Sequence, residues 1–301
     1  MQRNARRKIV WAAALALVWT LATATAAAEQ AGPLVDADWL VGRLGDPDIC
    51  VIEIGRDLYE FEAGHIPGAA FIDVRWMARE ADGVPGLLAS PETLDVLLET
   101  AGVTDSVTVV VYDGASSLWA ARLFWALEHL GHEDVRVLNG GWMRWTCNGH
   151  DVELGLPRMS AGEFTPLVRD RTLATREWIH EMLGDPGLLL LDVRTPEEYS
   201  GVEPLQGGGG RIPGAVHFEW SEALAADGSG LILPPEELES RLEAAGVAPG
   251  REVVTYCHVG ARAAHTYLAL RIVGHENARV YDGSWAEWGS DPNLPIEPPR
   301  E

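Results

Sequence analysis

Cys257 stands in the run Val253-Val254-Thr255-Tyr256-Cys257-His258-Val259-Gly260-Ala261-Arg262, ahead of an amphipathic stretch at 263–270. The apolar first part reads as a buried strand and the last part as a helix. The cysteine is therefore expected where a strand ends and a helix begins. Backbone N–H groups and the positive helix end converge at such a turn, and both favour a thiolate over a thiol. The same geometry binds anions, so the sulfur is placed to attack a small anionic substrate. Gly260 allows tight curvature without a Cβ. The N–H groups of His258, Val259, Gly260, Ala261 and Arg262 would stabilise charge on the sulfur in a preorganised way. Arg262 adds a permanent cation at the far end of the loop. Its guanidinium either meets the substrate or braces the loop through a carboxylate. His258 adjoins the nucleophile as a rim contact, an exposed bystander or a base, although a thiolate already stabilised by its loop needs no base.

The other two cysteines read differently. Cys50 lies in the buried-strand pattern Ile49-Cys50-Val51-Ile52 and behaves as a small core hydrophobe. Cys147 follows Trp142-Met143-Arg144-Trp145 near a helix end and has a structural or incidental role. No Cys/His cluster has zinc spacing, so neither a metal nor another cofactor is expected.

A duplication positions the loop. His65-Ile66-Pro67-Gly68-Ala69 matches Arg211-Ile212-Pro213-Gly214-Ala215. Val109-Val110-Val111-Tyr112-Asp113 matches Val253-Val254-Thr255-Tyr256-Cys257. Val137-Leu138-Asn139-Gly140-Gly141-Trp142 matches Val280-Tyr281-Asp282-Gly283-Ser284-Trp285. A period this long is a domain duplication rather than a solenoid. Strands are expected near 49–54, 69–73, 108–112 and 135–138, and near 188–193, 215–219, 252–257 and 278–281. Ser90-Pro91-Glu92 and Pro234-Pro235-Glu236 open helices. Near-continuous apolar strands alternating with helices imply an α/β fold: two tandem domains, each a parallel sheet with helices on both faces. The expected boundaries are 29–150 for the first domain, 151–174 for a Pro- and Gly-interrupted linker, and 175–301 for the second. Asp113 holds the cysteine's place in the first copy. A carboxylate cannot carry a transferable sulfur, but it can fill the anion cradle itself.

Residues 1–28 read as an export signal. Arg3, Arg6, Arg7 and Lys8 precede an apolar run and the small residues Ala24-Thr25-Ala26-Ala27-Ala28. The competing reading is a membrane anchor, against which the run is short and rich in Ala and Thr. A periplasmic or otherwise exported protein is expected, without a membrane role after cleavage. The net charge of −22 falls to about −26 once those four cations are removed. Such a surface argues against nucleic acid or anionic lipid as partner. A small anionic substrate must then be drawn in by a local positive field.

These segments, with Leu191-Asp192-Val193-Arg194 and Tyr281-Asp282-Gly283-Ser284-Trp285-Ala286-Glu287-Trp288, resemble the tandem-domain rhodaneses, the thiosulfate and 3-mercaptopyruvate sulfurtransferases. The resemblance covers nearly all of the chain beyond residue 28. It implies an inactive first copy and a second that carries the nucleophile. It also implies double displacement: Cys257 takes the sulfane sulfur of thiosulfate as a persulfide and passes it to a thiophilic acceptor, cyanide or a thiol. The six-residue span from Cys257 to Arg262 is one residue shorter than in related phosphatases and suits a single sulfur. The loop is closer to the thiosulfate type than to the mercaptopyruvate type. Arg194 is expected to contact the donor, alongside the loop residues 258–262. Glu198 stands where tandem relatives carry a donor-binding arginine. That departure keeps a second reading open, a persulfide carrier that delivers sulfur to a partner protein.

Overall fold

The apolar runs form the middle of two five-stranded sheets. A computed structural model describes residues 32–55 and 57–299; the export signal expected over 1–28 lies outside them. In the first half the strand order is Leu34–Val35, Val135–Leu138, Thr108–Tyr112, Ile49–Gly55, Ala70–Asp73, all parallel. In the second half it is Leu173–Ala174, Ala278–Tyr281, Glu252–Tyr256, Leu188–Asp192, Val216–His217, again all parallel. The duplication read from the motifs is thus a duplication of topology.

Each sheet is covered on both faces, as its apolar strands require. In the first half Val109 and Val111 face a core with Leu94, Leu98 and Phe124. Val110 and Tyr112 face the other way, toward Trp39, Phe61 and Trp145. In the second half Val253 joins Leu238 and Leu268, while Val254 and Tyr256 meet Ile179, Trp285 and Trp288. A fully buried side chain of this size contributes roughly 2–3 kcal/mol over an exposed one.

One core is shared between the halves. The equivalent helices Leu118–His129 and Ala261–Ile272 pack on each other, with Phe124 and Tyr267 ring centroids 6.5 Å apart. The Tyr267 hydroxyl donates to Glu128 at 2.7 Å across the same seam. These two helices follow Asp113 and Cys257, so the seam fixes both turns.

Two features depart from the sequence pattern. The sheets recruit the two-residue edge strands Leu34–Val35 and Leu173–Ala174, the latter inside the span read as linker. An antiparallel hairpin, Ala78–Ala81 with Val84–Leu88, projects from the first half. The caps behave as expected: Ser90 accepts the Thr93 N–H ahead of the Pro91–Thr100 helix, and Pro235 opens Pro235–Ala244.

Candidate active site

Cys257 follows the last residue of the central strand Glu252–Tyr256, four positions before the helix Ala261–Ile272. Three bonds set the turn. The Cys257 N–H donates to Ser284 Oγ at 3.1 Å, and that hydroxyl donates to the Tyr281 carbonyl at 2.8 Å. The Cys257 carbonyl accepts the Trp285 N–H at 3.0 Å. The Gly260 N–H points inward at the sulfur, 3.1 Å from Sγ. Gly260 has φ +84°, and a Cβ there would lie 2.7 Å from both Arg122 Nη1 and Asp282 Oδ1. Glycine is needed both for the turn and for the close approach.

Arg262 returns to the sulfur from the first turn of the helix. Burial alone would lower its pKa. The Glu198 carboxylate and the Cys257 sulfur beside it raise it above the ordinary arginine value. Glu198 grips the guanidinium with both oxygens, at 2.6 and 3.0 Å. Burial pushes the Glu198 pKa up, but Arg262 and the Thr195 N–H pull it down further, so it ends below the ordinary value. Of the two roles open to Arg262, bracing through a carboxylate is therefore occupied.

Arg194 lies just beyond the strand Leu188–Asp192. It is 1% exposed and spent on Asp192, through Nε at 2.9 Å and Nη2 at 2.6 Å, and on the Gly210 carbonyl at 2.9 Å. Its guanidinium lies 4.7 Å from the Trp285 ring. Through Nε and Nη2 this side chain braces the strand end. Arg211 is likewise buried, paired with Glu297 and 4.7 Å from the Tyr199 ring.

His258 is half-buried, and Gly260 rather than His258 hydrogen-bonds Sγ. Burial lowers its pKa, against Glu198 and with Arg262 and Arg194. Val259 and Ala261 line a cavity of about 210 Å³ between the halves, with Val74, Met77 and Trp119 and the two arginines Arg75 and Arg122 among its other walls. The hairpin roofs this loop: a Cβ at Gly86 would lie 3.0 Å from Val259 Cβ.

The first-half counterpart has no sulfur and no vacancy. The Asp113 carboxylate accepts N–H groups from Ala115, Ser117, Trp119 and Ala120 at 3.1, 3.0, 2.9 and 3.3 Å. It fills its own cradle. Cys50 is a core residue whose thiol donates to the Ala101 carbonyl at 3.4 Å, and burial pushes its pKa up to about 12. Cys147 is exposed at the end of Gly141–Cys147.

Sequence reasoning gave no role to Ser284, Asp282 or Arg122. The signal for Arg122 was present: one arginine inside the otherwise apolar Leu118-Trp119-Ala120-Ala121-Arg122-Leu123-Phe124-Trp125. A charge on that face needs a buried partner.

The Rhodanese-like domain family matches residues 36–147 and 175–291, one match per half. The thiosulfate sulfurtransferase of Corynebacterium glutamicum is 37% identical over 281 residues, covering 88% of this chain and 90% of that protein. The sulfur carrier protein TtuD of Thermus thermophilus is 34% identical over 276 residues, covering 87% and 95%. Among solved structures, the 3-mercaptopyruvate sulfotransferase SseA of Escherichia coli superposes with a TM-score of 0.75 at 28% identity, covering 84% and 99%. Two family matches in one chain, on two sheets of one strand order, identify this protein as a tandem-domain member of the rhodanese family.

Proposed function

We propose that the protein is a sulfurtransferase that moves sulfane sulfur from thiosulfate to a thiophilic acceptor through a persulfide on Cys257. The observation that carries this reading is the Gly260 N–H on Sγ at 3.1 Å, with the Arg262 guanidinium beside the same sulfur. A fixed N–H donor and a cation stabilise negative charge on sulfur both before and after transfer. In the first step the Cys257 thiolate attacks the outer sulfur of thiosulfate. The S–S bond of the donor breaks, its electron pair leaves with sulfite, and Cys–S–S⁻ remains. In the second step cyanide attacks the outer persulfide sulfur, thiocyanate departs and the thiolate returns. No proton transfer is needed in either step, which agrees with His258 making no bond to Sγ.

The test is steady-state thiocyanate production from thiosulfate and cyanide by wild type and Cys257→Ser. Loss of turnover in the variant is expected. Equal production by both proteins contradicts the reading. The grip of Glu198 on Arg262 favours a second reading, a persulfide carrier that hands sulfur to a partner protein, because it withdraws a cation from the donor. A persulfide that forms but is not discharged by cyanide supports that alternative. The basic, apolar and small-residue pattern of residues 1–28 supports export for either activity. N-terminal sequencing of the secreted protein checks this, with a mature start near residue 29 expected.

A further inference from the structure

The catalytic loop is held from two sides. The Cys257 and His258 carbonyls accept the Trp285 and Ala286 N–H groups, both at 3.0 Å and both within the catalytic half. Val259 and Gly260 meet the other half. A Cβ at Gly86 of the hairpin would lie 3.0 Å from Val259 Cβ and 3.3 Å from the Val259 carbonyl oxygen. Behind Gly260 stands an ion pair that joins the halves, with Arg122 Nη2 2.6 Å from Asp282 Oδ1. Both residues are buried. Each is also clipped to the hairpin: Arg122 Nη2 donates to the Gly86 carbonyl at 3.0 Å, and Asp282 Oδ2 accepts the Leu88 N–H at 2.7 Å. Arg122 Nη1 and Asp282 Oδ1 press on Gly260, each 2.7 Å from where a Cβ would stand. Gly260 is the residue whose N–H points at Sγ from 3.1 Å.

A buried ion pair adds little stability by itself, because desolvating two charges offsets most of their attraction. We infer that Arg122 and Asp282 are positioning residues: closed on each other across the seam and clipped to the hairpin, they wall the back of Gly260 and keep its N–H aimed at the Cys257 sulfur. This deepens the sulfurtransferase reading and rests on it for what the sulfur does. Glycine at φ +84° has wide backbone freedom, so its neighbours must fix the direction of its N–H. A donor aimed at developing charge is effective only when it is held in place beforehand. The helix Leu118–His129 carries Arg122, and the turn after the strand Ala278–Tyr281 carries Asp282, so both walls stand on regular elements. Two opposite charges in contact leave little net field at the sulfur, so the pair acts there through shape. The sulfur-free half thus serves the chemistry without touching the reacting atoms.

Removing both charges together separates position from field. Arg122→Gln combined with Asp282→Asn deletes the pair without changing the net charge and strands neither partner. Arg262 and His258 on the loop, Glu198 behind Arg262 and Arg75 across the cavity all stay in place. The readout is the pH midpoint of Cys257 alkylation by iodoacetamide, mapped by peptide mass so that the exposed Cys147 does not contribute. That midpoint should rise by about one pH unit as the N–H bond to sulfur is lost. A pair that only braces the seam lowers the urea unfolding midpoint and leaves the alkylation midpoint within about 0.3 unit of wild type. That result overturns the inference, as does a fall. Where the double variant does not fold, hydrogen exchange in Asp282→Asn decides. Protection of the Gly260 N–H should drop about tenfold more than that of Val254 in the central strand, and an equal drop overturns the inference. Alkylation needs no sulfur donor, so the two readings fail separately. A wild type that takes no sulfur from thiosulfate ends the sulfurtransferase reading. Normal persulfide formation in wild type with an unshifted midpoint in the double variant ends this inference alone.

Discussion

Asp113 and Cys257 occupy one place on two copies of one scaffold. Each follows the tyrosine that ends a central strand, and each tyrosine hydroxyl accepts the N–H of an Ile-Pro-Gly turn, Ile66 at 3.1 Å and Ile212 at 3.2 Å. The Asp113 carbonyl accepts the Trp142 N–H at 2.8 Å, as the Cys257 carbonyl accepts that of Trp285 at 3.0 Å. These two hydrogen bonds recur in both halves; the side chain does not. Four N–H donors turn inward on a carboxylate in one half, and Gly260 turns inward on a sulfur in the other.

Asp113 is therefore structural, and its removal should damage stability more than chemistry. Asp113→Ala strands four N–H groups, those of Ser117 and Ala120 buried and those of Ala115 and Trp119 partly so. A loss of about 3 kcal/mol in urea unfolding is expected, with a persulfide still forming on Cys257 in whatever remains folded. A variant as stable as wild type would show that the cradle does not need its anion.

Ser284 anchors the nucleophile's own backbone. Its φ is +51°, its side chain is buried, and its hydroxyl links the Cys257 N–H to the Tyr281 carbonyl. Ser284→Ala leaves that N–H unpaired. A loss of about 1–3 kcal/mol is expected, together with a fall in kcat as the turn loosens around Sγ. Unchanged kcat in a folded variant would show that the turn is held by its other bonds.

Glu198 contributes through charge. Its folded pKa lies below the ordinary 4.5, so its stabilising effect is present above that value and lost as pH falls through the lower folded one. Glu198→Ala should cost about 2 kcal/mol at neutral pH by leaving Arg262 unpaired. The gap to wild type should narrow in acid. Melting curves across pH check this, and a gap that is constant with pH would mean that packing, not charge, is lost.

Much of this site was legible because loops and strands leave short-range marks. The alternating fate of Cys257 and Asp113, the Gly260 turn and the central strands all follow from local pattern. The edge strands Leu34–Val35 and Leu173–Ala174 did not, since two residues cannot display a period. A sequence shows the charge of Arg194 but not that its Nε and Nη2 close onto the Asp192 carboxylate two positions earlier. Arg211 is buried because Glu297, 86 positions later, pairs with it, which no local pattern shows. Arg122 and Asp282 come together from opposite halves, 160 positions apart, and no local signal pairs them.

His265 gives the fold an acid limit. It is fully buried on the catalytic helix, edge-on to Trp220 at 5.1 Å between centroids. Burial lowers its pKa from 6.5 to about 4. The unfolded chain takes up its proton first, so stability is full above 6.5 and declines as pH falls toward 4, by about 3 kcal/mol from this residue. His265→Leu should flatten that part of the pH profile in denaturant unfolding. Parallel profiles for both proteins would contradict the assignment.

The most direct test of the account is the intact mass of the full-length protein after exposure to thiosulfate and removal of small molecules. One added sulfur atom on wild type, mapped to Cys257, absent from Cys257→Ser and discharged as thiocyanate by cyanide, is the expected result. A sulfur-free Cys257, or an adduct that survives Cys257→Ser, would contradict the claim that this turn is built to hold a single transferable sulfur.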